Sequence, residues 1–204
     1  MGVSEVALII MAKAPVPGLA KTRLIPALGA EGAASLAKQL LAHTVNTARK
    51  ASNFSHKELC VTPNTDHSAF ADLCLPFTLT DQGEGDLGVR MQRAFERVLE
   101  QFDATIMIGT DAPAMTTGLL DQAVDDLANY NAVFVPALDG GYTLIGLKQV
   151  LPELFVEIPW STNQVMAITR ERLGHASVHW HEYPPMADID EPRDLIHLPA
   201  DWLP

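Results

Sequence analysis

The chain has 204 residues, of which 48% are hydrophobic and 19% charged, with a formal net charge of −11. That length suits one domain over residues 1–204 with a sizeable core, and the composition is that of a soluble globular protein. The acidity argues against a non-specific nucleic-acid or anionic-membrane binder, which needs a basic face, so an anionic ligand would require a local basic patch or a divalent metal.

Val6 to Met11 is nearly all apolar, the pattern of a strand buried on both faces, and too short to span a bilayer. It runs into Ala12 to Leu24, where Pro15, Pro17 and Gly18 fix the backbone between Lys13, Lys21 and Arg23. A rigid cationic loop leaving a first parallel strand is a place to receive phosphate. Pro26 to Gly29 reads as a second break, followed by a helix over 33–50 with Leu36, Leu40, Leu41, Thr44 and Val45 on one stripe. A strand over 58–62, a short helix over 66–73 and a strand over 76–79 are predicted next. Thr80 to Gly88 is a loop with three glycines and three acids, opening into a helix over 89–102. Strands over 105–108, 132–136 and 143–147 and a helix over 117–130 follow. A helical turn near Pro152, a helix over 163–173, a strand over 177–183 and a terminal turn near Asp188 to Leu195 complete the pattern. Alternating strands and helices predict an α/β three-layer sandwich, a mostly parallel sheet with helices on both faces.

In such a sheet the ligand lies beyond the carboxyl ends of the strands. The first strand delivers Lys13, Lys21 and Arg23 there, the fourth Asp111, the fifth Asp139 with Gly140 and Gly141, and the C-terminal turn Asp188 and Asp190. Cations suit the phosphates of a nucleotide, and hard carboxylate oxygens suit Mg2+ or Mn2+. Asp111 is the best metal ligand. Its competing role as a helix cap is better filled by Thr116 or Thr117. Asp190, before Glu191-Pro192, reads equally as a helix N-cap and as a metal ligand. Asp139-Gly140-Gly141 is either a tight turn or a place for close approach of a ligand to the backbone.

Other readings fail. In Gly18-Leu19-Ala20-Lys21-Thr22 a P-loop would need Gly before the Lys and a helix straight after, and Ala20 and Pro26 violate both. His175, His179 and His181 lack a further ligand at zinc spacing, so an edge-strand or surface role is expected. Cys60 and Cys74 form no metal or redox motif and read as reduced thiols of a cytoplasmic protein.

Several blocks, taken together and in order, resemble a bacterial glycosyltransferase-like family. They are Lys13 to Gly18 with Lys21-Thr22-Arg23-Leu24, Gly83 to Met91, Gly109 to Pro113, Asp139 to Leu147, Trp160-Ser161-Thr162 and Asp188-Ile189-Asp190. The family is similar to nucleotide-diphospho-sugar transferases of the glycosyltransferase-A fold. Lys21 to Leu24 also resembles the loop of 2-phospholactate guanylyltransferase, and molybdenum cofactor guanylyltransferase shares the broader fold. The resemblance implies that Lys13, Lys21 and Arg23, on the loop carrying Pro15 and Gly18, hold nucleotide phosphates. It places Asp111 at the first metal aspartate, Asp188 or Asp190 at the second, and Asp86 and Arg90 along the site. The usual acid at the third position of the final helix is here Arg193, which predicts loss of a capping box.

The resulting expectation is a transferase using a nucleotide or nucleotide-sugar donor with Mg2+ or Mn2+, Lys21 and Arg23 stabilising the leaving diphosphate. Sugar transfer to a small-molecule acceptor comes first, nucleotidyl transfer with release of pyrophosphate second. A nucleotide-binding module without turnover is the reading of another class. The segment from Pro152 to Trp160 has two uses open to it, covering the acceptor or contacting a second copy in a homodimer.

Overall fold

A computed structural model describes residues 4–71 and 76–202. Seven strands form one sheet: β1 (Val6–Lys13), β2 (His56–Thr62), β3 (Thr78–Asp81), β4 (Ala104–Ile108), β5 (Ala132–Pro136), β6 (Tyr142–Leu147) and β7 (Trp180–Glu182), in the order β3-β2-β1-β4-β6-β5-β7. Four pairings are parallel, and β6 alone runs antiparallel to its neighbours β4 and β5. The sheet is therefore mixed, with a parallel majority.

Both faces are covered, as the unbroken apolar strands require. Val6, Leu8 and Ile10 point to the face packed by Leu41 and Val45 of α1 (Ile25–Lys50) and by Leu120 and Ala123 of α3 (Thr117–Asp126). Ala7 and Ile9 point to the other face, packed by Met91 and Phe95 of α2 (Leu87–Leu99) and by Met166 and Leu173 of α4 (Val165–His175). A third, smaller core joins Leu24 and Leu36 to Ile189 and Leu198. It docks the first loop and the C-terminal segment on the same stretch of α1.

Several boundaries differ from the sequence reading. Helix α1 begins upstream of Ala33, although Gly29, at φ 70°, still breaks its regularity where the Pro-Gly pair predicts. The short helix expected over 66–73 is a 3-10 turn at Ser68–Phe70, and its last positions, like Cys74, lie outside the described residues. The third strand sits two residues later than expected. Helix α3 stops at Asp126, and β7 is shorter than the predicted strand. Cys60 is buried, and burial pushes its thiol up to about 11, so it is a protonated core residue. His179 and His181 pack against the Tyr130 ring in tilted geometry at the β7 edge, in keeping with a structural role.

Candidate functional site

The order of strands reverses between β1 and β4. From β1 the chain moves outward through β2 and β3, then returns to lay β4 on the opposite side of β1. Two diverging connections open a crevice at that point, beyond the carboxyl ends of the two strands. A cavity of about 560 Å³ occupies it. Lys13, Lys21, Arg23, Arg90, Asp111, Asp139, Gly141, Asp188 and Asp190 line it, so most of the predicted residues come together. Met11, Met91, Met107, Ile145, Tyr142 and Trp160 also line it, and they form part of the core on the α2 and α4 face.

Four predicted residues stand outside the cavity wall. Asp86 caps α2, accepting from the Val89 N–H at 2.9 Å. Pro15 and Gly18 belong to the scaffold of the first loop, where Gly18 takes a positive φ of 78°. Gly140, at φ 97°, is pressed against the chain itself: a Cβ there would come within 2.4 Å of the Asn163 carbonyl oxygen. Asp139 accepts from the Gly141 N–H at 2.9 Å, an Asx turn that shapes the β5–β6 connection. The tight-turn reading of this segment therefore holds, and of its two glycines only Gly141 lines the cavity.

At the mouth, the first loop meets the C-terminal segment. Leu24 and Ile189 share the third core, and the Ile189 N–H donates to the Asp111 carbonyl at 2.8 Å. Residues i and i+2 of an extended segment share one side, so burying Ile189 turns Asp188 and Asp190 outward together. The Lys21 ammonium lies 2.7 Å from Asp111 Oδ1 and 3.3 Å from Asp190 Oδ1, and donates to the Ile189 carbonyl at 2.6 Å. Arg23 reaches Asp190 Oδ2 at 3.2 Å. Burial pulls the Lys21 pKa down, but the Asp111 and Asp190 carboxylates more than offset this and raise it above the ordinary lysine value. Lys21 has left-handed backbone angles, φ 48° and ψ 45°, uncommon for a residue with a side chain.

The two alternatives at Asp190 separate. The cap of the final 3-10 helix (Pro192–His197) is Glu191, and Asp194 accepts from the backbone N–H groups of Asp190 and Glu191 at 3.0 and 2.6 Å. The capping box expected to be lost is present, one residue later, with Asp194 supplying the acid. Asp190 is left to Lys21 and Arg23. Thr116 caps α3, accepting from the Leu119 N–H at 3.1 Å, which leaves Asp111 uncommitted to that helix.

Among the described residues Asp188 has no such cation within ion-pair distance. Burial, then the charges of Asp139, Asp190 and Asp111, push its carboxyl up to about 6. Excess negative charge on hard oxygen donors is a chemistry that fits Mg2+ or Mn2+. A coordination shell is not already assembled: among the described residues no group of three or more His, Cys, Asp or Glu is arranged to hold a metal.

Sequence reasoning missed Gln82, whose buried side chain donates to the Ala12 and Cys60 carbonyls at 3.1 Å each. It joins the ends of β1 and β2 beside the cavity. Its only signal was a polar residue just after a strand.

Among the described residues no helix is long and apolar enough to cross a membrane. No curated protein matches the chain. A solved structure of a candidate nucleotide-diphospho-sugar transferase from Desulfovibrio desulfuricans G20 is 29% identical, with a TM-score of 0.87 over 94% of this chain and 85% of that one. The 4-diphosphocytidyl-2C-methyl-D-erythritol synthase of Anaerococcus prevotii DSM 20548 superposes with a TM-score of 0.64 at 11% identity, covering 95% and 94% of the two chains. Glucosyl-3-phosphoglycerate synthase from Mycobacterium tuberculosis, solved with Mn2+, uridine diphosphate and glucosyl-3-phosphoglycerate, gives 0.59 at 9% identity, covering 95% and 75%. The fold is thus that of the nucleotide-diphospho-sugar transferases. Residues 44–162 match the family described as "uncharacterized protein conserved in bacteria (DUF2064)", and the chain belongs to that family.

Proposed function

We propose that this protein is a metal-dependent transferase acting on a nucleotide-activated donor, with glycosyl transfer from a nucleotide sugar as the leading reaction. One observation carries the reading. A single cavity at the β1–β4 reversal collects the cationic first loop and four aspartates, Asp111, Asp139, Asp188 and Asp190. Cations alone would suit any anion, and carboxylates alone any metal. Together they suit a diphosphate chelated by a divalent ion.

In this reading Asp111 and Asp190, with Asp188 beside them, hold Mg2+ or Mn2+, which offsets charge on the leaving diphosphate. Lys13, Arg23 and Arg90 bind and orient the phosphates, and Lys21 stabilises charge as it develops. The largely hydrophobic wall of Met11, Met107, Tyr142 and Trp160, whose Tyr142 hydroxyl and Trp160 Nε1 are buried without a protein partner, keeps bulk water from the reacting end. Support comes from the Desulfovibrio relative and from the uridine diphosphate and Mn2+ in the mycobacterial structure. Nucleotidyl transfer is the second reading, favoured by three cations on one loop, which suit a triphosphate.

The test is a thermal-shift panel of nucleotides and nucleotide sugars with and without Mn2+, on wild type and Asp111→Ala. A true donor at a hundredfold excess over Kd raises Tm by roughly 5–10 °C. The shift requires Mn2+ and is absent in the variant. Equal shifts in both proteins would remove Asp111 from the site. With a donor in hand, release of a nucleoside diphosphate identifies sugar transfer and release of pyrophosphate nucleotidyl transfer. Binding without either product would leave a nucleotide-binding module.

A further inference from the structure

We infer that Lys21 is a built-in cation that keeps the Asp111 and Asp190 carboxylates together until a divalent ion displaces it, so that one side chain couples metal binding to phosphate binding. This rests on the proposed function, which places the divalent ion on those two carboxylates.

An ammonium has three protons to donate. Here they meet three oxygens: Asp111 Oδ1 at 2.7 Å, Asp190 Oδ1 at 3.3 Å and the Ile189 carbonyl at 2.6 Å. The Lys21 side chain is only 7% exposed, whereas those of Asp111 and Asp190 are 42% and 41% exposed. The cation is thus sunk behind the carboxylates, and the carboxylates present their other faces to the cavity. Another salt bridge links Asp190 to Arg23, so this carboxylate is shared between two cations. A divalent ion arriving from the cavity meets oxygens already carrying a positive partner. Like charges on shared ligands repel, and the ammonium, on a flexible four-carbon stem, is the one that can move. A diphosphate bound in the same cavity beside Lys13 and Arg23 would offer it oxygens in exchange. Each ligand therefore prepares the other's place, and by linkage the effect is reciprocal.

The competition predicts an unusual sign. Removing a strut that only aligned the two carboxylates would weaken metal binding, whereas removing a cation that competes for their oxygens strengthens it. Here, loss of the Lys21 charge strengthens binding of Mn2+ alone. Free Mn2+ is measured by electron paramagnetic resonance during titration of the intact protein, as wild type, Lys21→Met and Lys21→Gln. Glutamine keeps a donor toward the Ile189 carbonyl, so the test survives if the methionine variant does not fold. Both variants are expected to bind Mn2+ about tenfold more tightly than wild type, within the usual range of coupling between sites. Adding uridine diphosphate then improves Mn2+ affinity by a larger factor in wild type than in either variant. Equal or weaker Mn2+ binding by the variants would overturn the displacement and leave the metal site standing. Absence of Mn2+ binding in all three proteins, with and without uridine diphosphate, would overturn the proposed function together with this inference.

Discussion

Glu58 and Asp111 leave the same sheet, and each faces a cation, but their surroundings differ. Glu58, on β2, is 1% exposed. Arg97 of α2 grips both its oxygens, at 2.7 and 2.5 Å, and Thr80 donates to it at 2.8 Å. One carboxylate meets one guanidinium in a fork, and neither residue lines the cavity at the β1–β4 reversal. Asp111 stands with Asp139, Asp188 and Asp190 around a cavity, and among the described residues the only ion pairs to these four run from Lys21 and Arg23 to Asp111 and Asp190, which leaves Asp139 and Asp188 unpaired. The contrast separates structure from function better than the presence of ion pairs does. A buried carboxylate met by its own guanidinium has completed its chemistry within the fold, whereas carboxylates gathered around a cavity without enough partners are prepared for one.

The sharpest break in that comparison is predicted at Asp111. Asp111→Asn keeps the shape and removes the charge, and transfer with a confirmed donor should fall by at least about 100-fold, since a catalytic metal supplies several kcal/mol. Its melting curve without ligand should stay close to wild type. Arg97→Met should give the reverse. Stripping the partner from buried Glu58 should cost about 3 kcal/mol in denaturant unfolding, with nucleotide binding unchanged in the folded protein. Next in size, Gly140→Ala puts a Cβ at a positive φ and against the Asn163 backbone, and should destabilise by about 2 kcal/mol. The smallest effect is at the Arg170–Glu182 pair on the surface, 2.8 Å apart. The Arg170 guanidinium holds the Glu182 carboxyl below the usual range. Its stabilisation is present above the ordinary glutamate pKa and is lost as pH falls through the lowered folded value. Arg170→Met should thus cost up to about 1 kcal/mol near neutral pH, and the difference from wild type should shrink as the pH is lowered.

Much of this architecture was legible because it is written locally. Val6 to Met11 could only be a doubly buried strand, and the Pro-Gly loop after it places three cations at a strand end whatever else the chain does. The place of Asp111 at the cavity was readable for a similar reason, and Thr116 caps the next helix as expected. Asp190 was not, because its role depends on where Ile189 is buried. That core also contains Leu24 and Leu36, more than 150 positions away in sequence. Once Ile189 docks, the helix starts one residue later than proline placement suggested, Glu191 and Asp194 form the cap, and Asp190 is released to Lys21. Gly140 misled for a related reason: a glycine signals close approach, and the approaching backbone belongs to Asn163. The Arg97–Glu58 fork joins residues 39 positions apart with no shared motif, so local spacing carried no sign of it.

The central claim is that a metal-chelated diphosphate lies between the first loop and the aspartates. Crystals grown with Mn2+ and uridine diphosphate, measured at the manganese absorption edge, test it most directly. The account predicts an anomalous peak bonded to Asp111 and to a phosphate oxygen, with the Lys21 ammonium moved off Asp111. A nucleotide seated elsewhere, or manganese bound away from Asp111, would contradict it.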